Sequence, residues 1–496
     1  MNKRTILLLC SLVLLLSMLL SACTGLPLTS TSQDATDSTD SEVTTTADTT
    51  KGETELPTKP TVGNPSSIGY VAEGDPDLPT LSITTKDGEE IVSREEYLPA
   101  TVTVSGTTDD ASYGFENRET EVRCRGNYTF TGDTMRKKSY RLKFTEKINL
   151  FGQGSGAAKS WVLLANHCDK TLLRNHIAFT AGRLLDKIAY CSSSSFVQLY
   201  INGEYCGVYQ VAEQHNINKN RVNITEDPNV VDTDYLIERD SYAEEDGPEG
   251  ITYFRINRTK YNIKTDYPDS PLAADKCEFL RDYFQKAHDA IKSGKRADVI
   301  RYIDIDSFID TFILQALVKN IDVGWSSFFM VKKAGGKIYF TCPWDFDLAL
   351  GNDERLDHGQ VETLYVGQKT GLSQEHEWFY LLMNENWFCT LLQKRWNAVK
   401  EKLNTAILFE IDRFVSDFED DFNQNFKLWN VFNKKINQEP LALLKLKSFR
   451  ENAEHLRKWY TDRYAYLDEL FNSDALYEQG GFESSGGGWP GGGWWN

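Results

Sequence analysis

The sequence contains no Cys-x-x-Cys pair and no surplus of positive charge. Its nine cysteines are Cys10, Cys23, Cys124, Cys168, Cys191, Cys206, Cys277, Cys342 and Cys389. None falls at metal-ligand spacing, so no zinc site is expected. Setting Cys10 and Cys23 aside leaves an odd seven; some could pair in an oxidising compartment, but spacing gives no disulfide framework. With 54 basic against 72 acidic residues the formal charge is −18. That balance argues against a nucleic-acid backbone as the main partner, though it permits local basic patches. The rest is ordinary: 40% hydrophobic and 25% charged residues over 496 positions. Such a chain can bury a substantial core, as two or three average domains or as one large domain with tails.

The ends read differently from the middle. Lys3 and Arg4 precede an apolar run from Ile6 to Leu20, then Leu20-Ser21-Ala22-Cys23. A cationic start, a short apolar segment and small residues before a cut site make a secretory signal over residues 1–22. The Leu-Ser-Ala-Cys ending matches the bacterial lipobox, in which Cys23 is lipidated. It predicts a membrane lipoprotein on the extracytoplasmic face. Residues 23–77 are rich in Thr, Ser, Asp, Gly and Pro, cannot bury enough surface to order themselves, and read as a tether. The Gly-rich end, residues 473–496, carries Trp489, Trp494 and Trp495. It reads as a flexible tail, either a contact for wall glycan or protein, or an end with no partner.

Between these ends the chain is strand-rich first and helix-rich later, an α+β organisation. Residues 81–106 alternate around Asp87-Gly88 as a hairpin. In Ser139–Phe144, Tyr140, Leu142 and Phe144 take one face and Arg141 and Lys143 the other. On spacing alone that strand is more readily a solvated edge protected by lysine than a phosphate-binding face. A strand, a turn at Asn166–Asp169 and a helix follow, with Asp169 or Thr171 as N-cap, Leu173, Ile177 and Leu184 buried, and Arg174 and His176 pointing elsewhere. Asn202-Gly203 marks a second hairpin, with Glu213 at its far strand end. Tyr235–Glu238 and Tyr261–Lys264 read as further strands. Helical periodicity covers 278–291, 375–426 and 441–471. Ser307-x-x-Asp310 reads as a capping box.

The organising stretch is Ala316–Gly351. It runs from an apolar helix through a loop carrying Asp322 into two strands joined at Ala334-Gly335-Gly336, and ends Pro343-Trp344-Asp345-Phe346-Asp347. A hairpin brings its ends together, so Asp322 and the Asp345/Asp347 pair can meet. Each Asp alone is more often a turn residue. As a set they suit phosphoryl transfer, in which one carboxylate orients the attacking hydroxyl and others hold Mg²⁺. A glycosidase pair is a weaker option, because Asp345 and Asp347 on one face of an extended segment suit metal better.

Several segments, in order, resemble the CotH (spore coat protein H) family of atypical, secretory-pathway-type protein kinases. They are Arg125-Gly126-Asn127, KKSYRLKF, LLANHCDKTLLRNHIAF, LYINGEYCGVYQVAE, YLIERD and PWDFDLALG. The resemblance spans residues 78–472. It implies a much-altered kinase-like fold, ATP and Mg²⁺ or Mn²⁺ in a cleft, and γ-phosphate transfer to Ser or Thr of secreted or spore-coat proteins. It makes Asp322 the catalytic carboxylate and Asp345 a metal ligand, with Asp347 a second. It assigns Lys143, or else Lys138, to the phosphates, and Glu213 to that lysine or to metal. Trp344 is then a stacking surface for adenine or part of the core. Asn127, Arg174 and Glu238 lie in matched segments. Neither GxGxxG nor HRD is present, so side chains such as Lys143 and Arg125 must grip the phosphates. The alternative is a non-catalytic surface adhesin that keeps the fold and binds through tether and tail.

Overall fold

The protein is represented by a computed structural model that describes residues 78–106, 113–126, 130, 136–152, 156–265, 270–355, 359–368 and 377–481. Cys23, the tether, Asn127 and the tail tryptophans lie outside the described residues.

Alternating apolar residues build the first half into a closed barrel. Its strands are β1 (Thr80–Thr85), β2 (Leu98–Ser105), β3 (Phe115–Arg125), β4 (Ser139–Ile148), β5 (Ala158–Leu164), β6 (Ser194–Ile201) and β7 (Glu204–Glu213). The order is β1-β2-β3-β4-β5-β7-β6, closed by a parallel pairing of β1 with β6. The faces of β4 match the alternation: Leu142 and Phe144 are buried, Lys143 is exposed. Yet β4 lies between β3 and β5, so it is not an edge. Closure removes the edge that its lysines would otherwise protect. At the β6–β7 turn Asn202 and Gly203 have φ of 50° and 83°, as a two-residue primed turn requires. Asp87-Gly88 differs. It forms a local 3₁₀ turn, and β1 pairs with β2 across a longer connection.

Helix α1 (Arg174–Leu184) enters between β5 and β6 and is buried along most of its length. Arg174 and His176 therefore do not point away from the core; both are buried and partnered. Leu173 occupies the N-cap position without a side-chain cap. Asp169 still accepts from Arg174 N at 2.9 Å, and Thr171 Oγ1 from Leu173 N at 3.1 Å.

The second half carries an antiparallel sheet of β8 (Tyr235–Arg239), β9 (Tyr253–Ile256), β10 (Thr259–Ile263), β11 (Phe328–Lys332) and β12 (Ile338–Thr341), ordered β12-β11-β8-β10-β9. Around it pack α2 (Ala273–Lys292), α3 (Arg296–Tyr302), α4 (Ile305–Val318), α5 (Glu377–Met383), α6 (Asn386–Asp417), α7 (Glu419–Leu428) and α8 (Phe449–Phe471). Helix α4 is apolar on almost every side and buried throughout its middle. Its cap is Asp304, whose carboxylate accepts from Ser307 N at 2.8 Å. Ser307 is thus the third helical residue, and Asp310 instead pairs with Arg395 at 2.7 Å. Past α8 a 3₁₀ stretch, Asp474–Gly481, keeps Leu476 in the core. No helix among the described residues is long and apolar enough to cross a membrane. The seven described cysteines are all free, six of them buried.

Candidate active site

Helix α4 ends at Lys319, which adopts a left-handed conformation (φ 47°). The chain then turns at once: Asn320 Oδ1 accepts from Asp322 N at 3.1 Å, and Trp325 N donates to Asp322 O at 2.9 Å. The β11–β12 hairpin carries the chain out and back through the Ala334-Gly335-Gly336 turn to Cys342 and Pro343. Its ends meet as the spacing predicts. Asp322 lies within the electrostatic reach of Asp345, and Asp347 within that of both.

These acids are surrounded by protein yet not sealed from solvent: Asp345 is exposed, Asp322 and Asp347 partly so. Burial pushes the Asp322 carboxyl up to about 6, against the pull of Arg355. Burial also raises Asp345, opposed by Arg125. Asp347 is raised well above the usual range by burial and by Asp345, Asp322 and Asp169. The Asp345 and Asp347 carboxyls hydrogen-bond to each other, and the Cys168 thiol bonds to Asp347. Asp345 is not extended, however. Its φ is 66°, so the two acids do not share a face through strand alternation, and their meeting depends on a strained turn.

The donor set is all oxygen, which suits a hard cation such as Mg²⁺ or Mn²⁺. Among the described residues no three or more His, Cys, Asp or Glu side chains form a metal cage. One or two carboxylates completed by substrate phosphates is the usual Mg²⁺ arrangement, and Asp345 with Asp347 fit that role.

One barrel cation reaches the acids, and others gather near it around His215. Arg125, at the end of β3, is half-buried, faces Asp345 and lies 5.5 Å from the Trp344 ring. Burial lowers its pKa to about 10. On β4 the cation next to Arg125 is Arg141: both bear on His215, and the Arg141 Nε is buried without a hydrogen-bond partner. His215 sits just past β7, 4.3 Å from the Phe329 ring and 4.8 Å from Trp344. Burial and then Arg125, Lys264 and Arg141 depress its pKa to about 3, so the ring is neutral. Lys264 pairs with Glu238 at 3.4 Å and Asp246 at 2.7 Å. Burial lifts Glu238 to about 7, and Ser327 N donates to it at 3.1 Å.

Other expected residues lie elsewhere. Lys143 is exposed on the barrel exterior, 3.5 Å from Glu121 and 5.6 Å from the Tyr97 ring. Lys138 donates to Phe130 O at 2.6 Å. Glu213 points into the barrel in register with Trp161, ion-paired with Arg221 at 2.9 Å and accepting from Tyr190 at 3.1 Å. It cannot meet Lys143, which leaves the wall on the opposite face. Trp344 is 7% exposed and stacked on Phe179 at 5.2 Å. With Arg125 and His215 also against it, little ring remains for a base.

Sequence reasoning missed His215 and Arg355; it set Arg141 on a cationic strand face and Lys264 on a strand without assigning either to the site. Arg355 Nη2 donates to Asp353 at 2.7 Å and to Asp322 at 3.4 Å. Its place just beyond Pro343–Gly351 was the only signal available. Arg174, whose role the sequence left open, donates Nε to Ala349 O at 3.1 Å and pairs with Asp169. It braces the acid-bearing loop and does not enter the site.

With this geometry established, the comparison with known families is direct. The chain belongs to the CotH kinase protein family, matching it over residues 122–467. No curated protein matches it.

Proposed function

We propose that this chain is a kinase that transfers the γ-phosphoryl group of ATP to Ser or Thr hydroxyls of extracytoplasmic or spore-coat proteins, held at the membrane through lipidated Cys23. The observation that carries the reading is the convergence of Asp322, Asp345 and Asp347, with Arg125 beside Asp345. A protein that only adheres has no use for three acids gathered at one place. The barrel and the helical half then serve as the two lobes of a kinase-like fold.

Asp322 orients the acceptor hydroxyl and takes its proton; a carboxylate raised to about 6 is a better base at neutral pH than an ordinary one. Asp345 and Asp347 would hold the divalent cation, which would supply charge neutralisation for the phosphates. Arg125, proposed from sequence, keeps its part in the phosphate grip and Arg141 beside it takes that of the lysines, with planar forks suited to phosphate oxygens.

The test is transfer from γ-labelled ATP to a Ser-rich acceptor by the full-length chain with Mg²⁺ or Mn²⁺, beside Asp322→Ala and Asp345→Ala. Transfer by the wild type that drops at least a hundredfold in both variants supports the proposal. A folded wild type that neither binds ATP nor transfers phosphate with either metal refutes it.

A further inference from the structure

The peptide between Asp345 and Asp347 is held from outside its own loop. Phe346 N donates to Asn175 Oδ1 at 2.7 Å in a buried bond. Asn175 stands in the first turn of α1, and its Nδ2 donates to Asn166 Oδ1 at 3.1 Å. Asn166, itself left-handed at φ 47°, spends its own amide hydrogens on Leu172 O at 3.0 Å and Gln210 Oε1 at 2.8 Å. From Gln210 the chain of bonds runs on through Ser194 (2.7 Å) and His176 (2.9 Å) to Glu410 (3.0 Å). A continuous buried polar path therefore links the acid-bearing loop to α6.

The loop needs such a brace. A left-handed Asp345 is an unfavourable backbone state for a side-chain-bearing residue, and it persists only where surrounding contacts over-determine it. Because alternation is broken there, strand geometry does not fix how the two carboxylates face each other. Around them Asn352 Nδ2 holds Asp347 O at 2.7 Å and Arg174 holds Ala349 O, but among the described residues the side chain gripping the intervening peptide N–H is that of Asn175. The position demands an amide. Its oxygen must accept from Phe346 while its nitrogen donates to Asn166, and Asn166 has no hydrogen left to reverse that bond.

We propose that Asn175 is a positioning residue for the cation site: its amide, braced by Asn166, fixes the Phe346 peptide and so holds the Asp345 and Asp347 carboxylates in the relative orientation a shared divalent cation requires. This rests on the reading of those two acids as cation ligands, not on the identity of the acceptor. Partners one shell behind a metal ligand commonly govern affinity by 10- to 100-fold.

The experiment is Mn²⁺ titration of the full chain by electron paramagnetic resonance, for wild type, Asn175→Ala and Asn175→Thr, with thermal melts and metal-free ATP binding alongside. The expected result is a Mn²⁺ Kd weakened by roughly 10-fold or more in both variants, with metal-free ATP affinity within about twofold of wild type. A folded variant that loses thermal stability but keeps wild-type Mn²⁺ affinity would overturn the proposal, since Asn175 would then only anchor α1. Threonine fills similar space without the reach to Phe346, so it decides the matter if the alanine variant does not fold. A wild type that binds Mn²⁺ but phosphorylates nothing sinks the kinase reading and leaves this comparison decisive. A wild type that binds no Mn²⁺ sinks the positioning role together with the cation site.

Discussion

Arg355 divides one guanidinium between two carboxylates. Asp353, nearly buried, receives Nε at 3.0 Å and Nη2 at 2.7 Å. Asp322, more open, receives a single contact at 3.4 Å. The arginine is thus anchored on one acid and leans on the other, which it keeps from rising further than burial has already taken it. Without that charge the Asp322 carboxyl protonates at higher pH, so the acidic limb of kcat/KM should move upward in Arg355→Ala. Activity should fall more at pH 6 than at pH 8, by roughly three- to tenfold in relative terms, and Arg355→Lys should recover part of the difference. Parallel profiles for variant and wild type would mean that Arg355 does not act through Asp322.

At the scale of elements, period-two alternation correctly sorted β4 into an apolar face and a cationic face. It could not say which cation on that face meets the site. Arg141 and Lys143 leave the same side of the strand about 7 Å apart, and the choice between them depends on barrel curvature and on what the second half packs against, both nonlocal. For the same reason Glu213 looked available from its strand-end position, while its register with Trp161 turns it inward to Arg221. Arg125→Ala and Arg141→Ala should each raise the KM for ATP by about tenfold, the scale of a charge-assisted hydrogen bond. Lys143→Ala, on the exposed wall, should leave it within about twofold. Initial-rate measurements across ATP concentrations check both, and a larger effect at Lys143 than at either arginine would return the phosphate grip to the lysine.

For the whole molecule, the order of strands then helices and the hairpin that joins the acids were legible, because both follow from local pattern. The barrel was not: its closure rests on β1 meeting β6 in parallel across more than a hundred residues, a pairing no window of sequence reports. The site lies where the two halves meet, with Arg125 and Arg141 from the barrel and the acids from the other half, and the acids there have a measurable cost. Asp322 titrates near 6 in the fold against an ordinary 3.8, and Asp345 and Asp347 are raised as well. The folded chain therefore holds protons that the unfolded chain has already released, and these groups stabilise the ligand-free fold as pH falls through about 6 toward 4 and lose that contribution above it. A divalent cation bound with ATP takes the place of those protons, and it binds only the fold. At a hundred times Kd it should stabilise the protein by about 2.7 kcal/mol, or roughly 3 °C in Tm. Melting curves with and without Mg²⁺·ATP should thus separate at pH 7.5 and converge by pH 5, where protons compete for the same oxygens, and the separation should vanish in Asp345→Ala. A ligand-induced rise in Tm that is independent of pH, or that survives Asp345→Ala, would put the cation on other groups of the molecule.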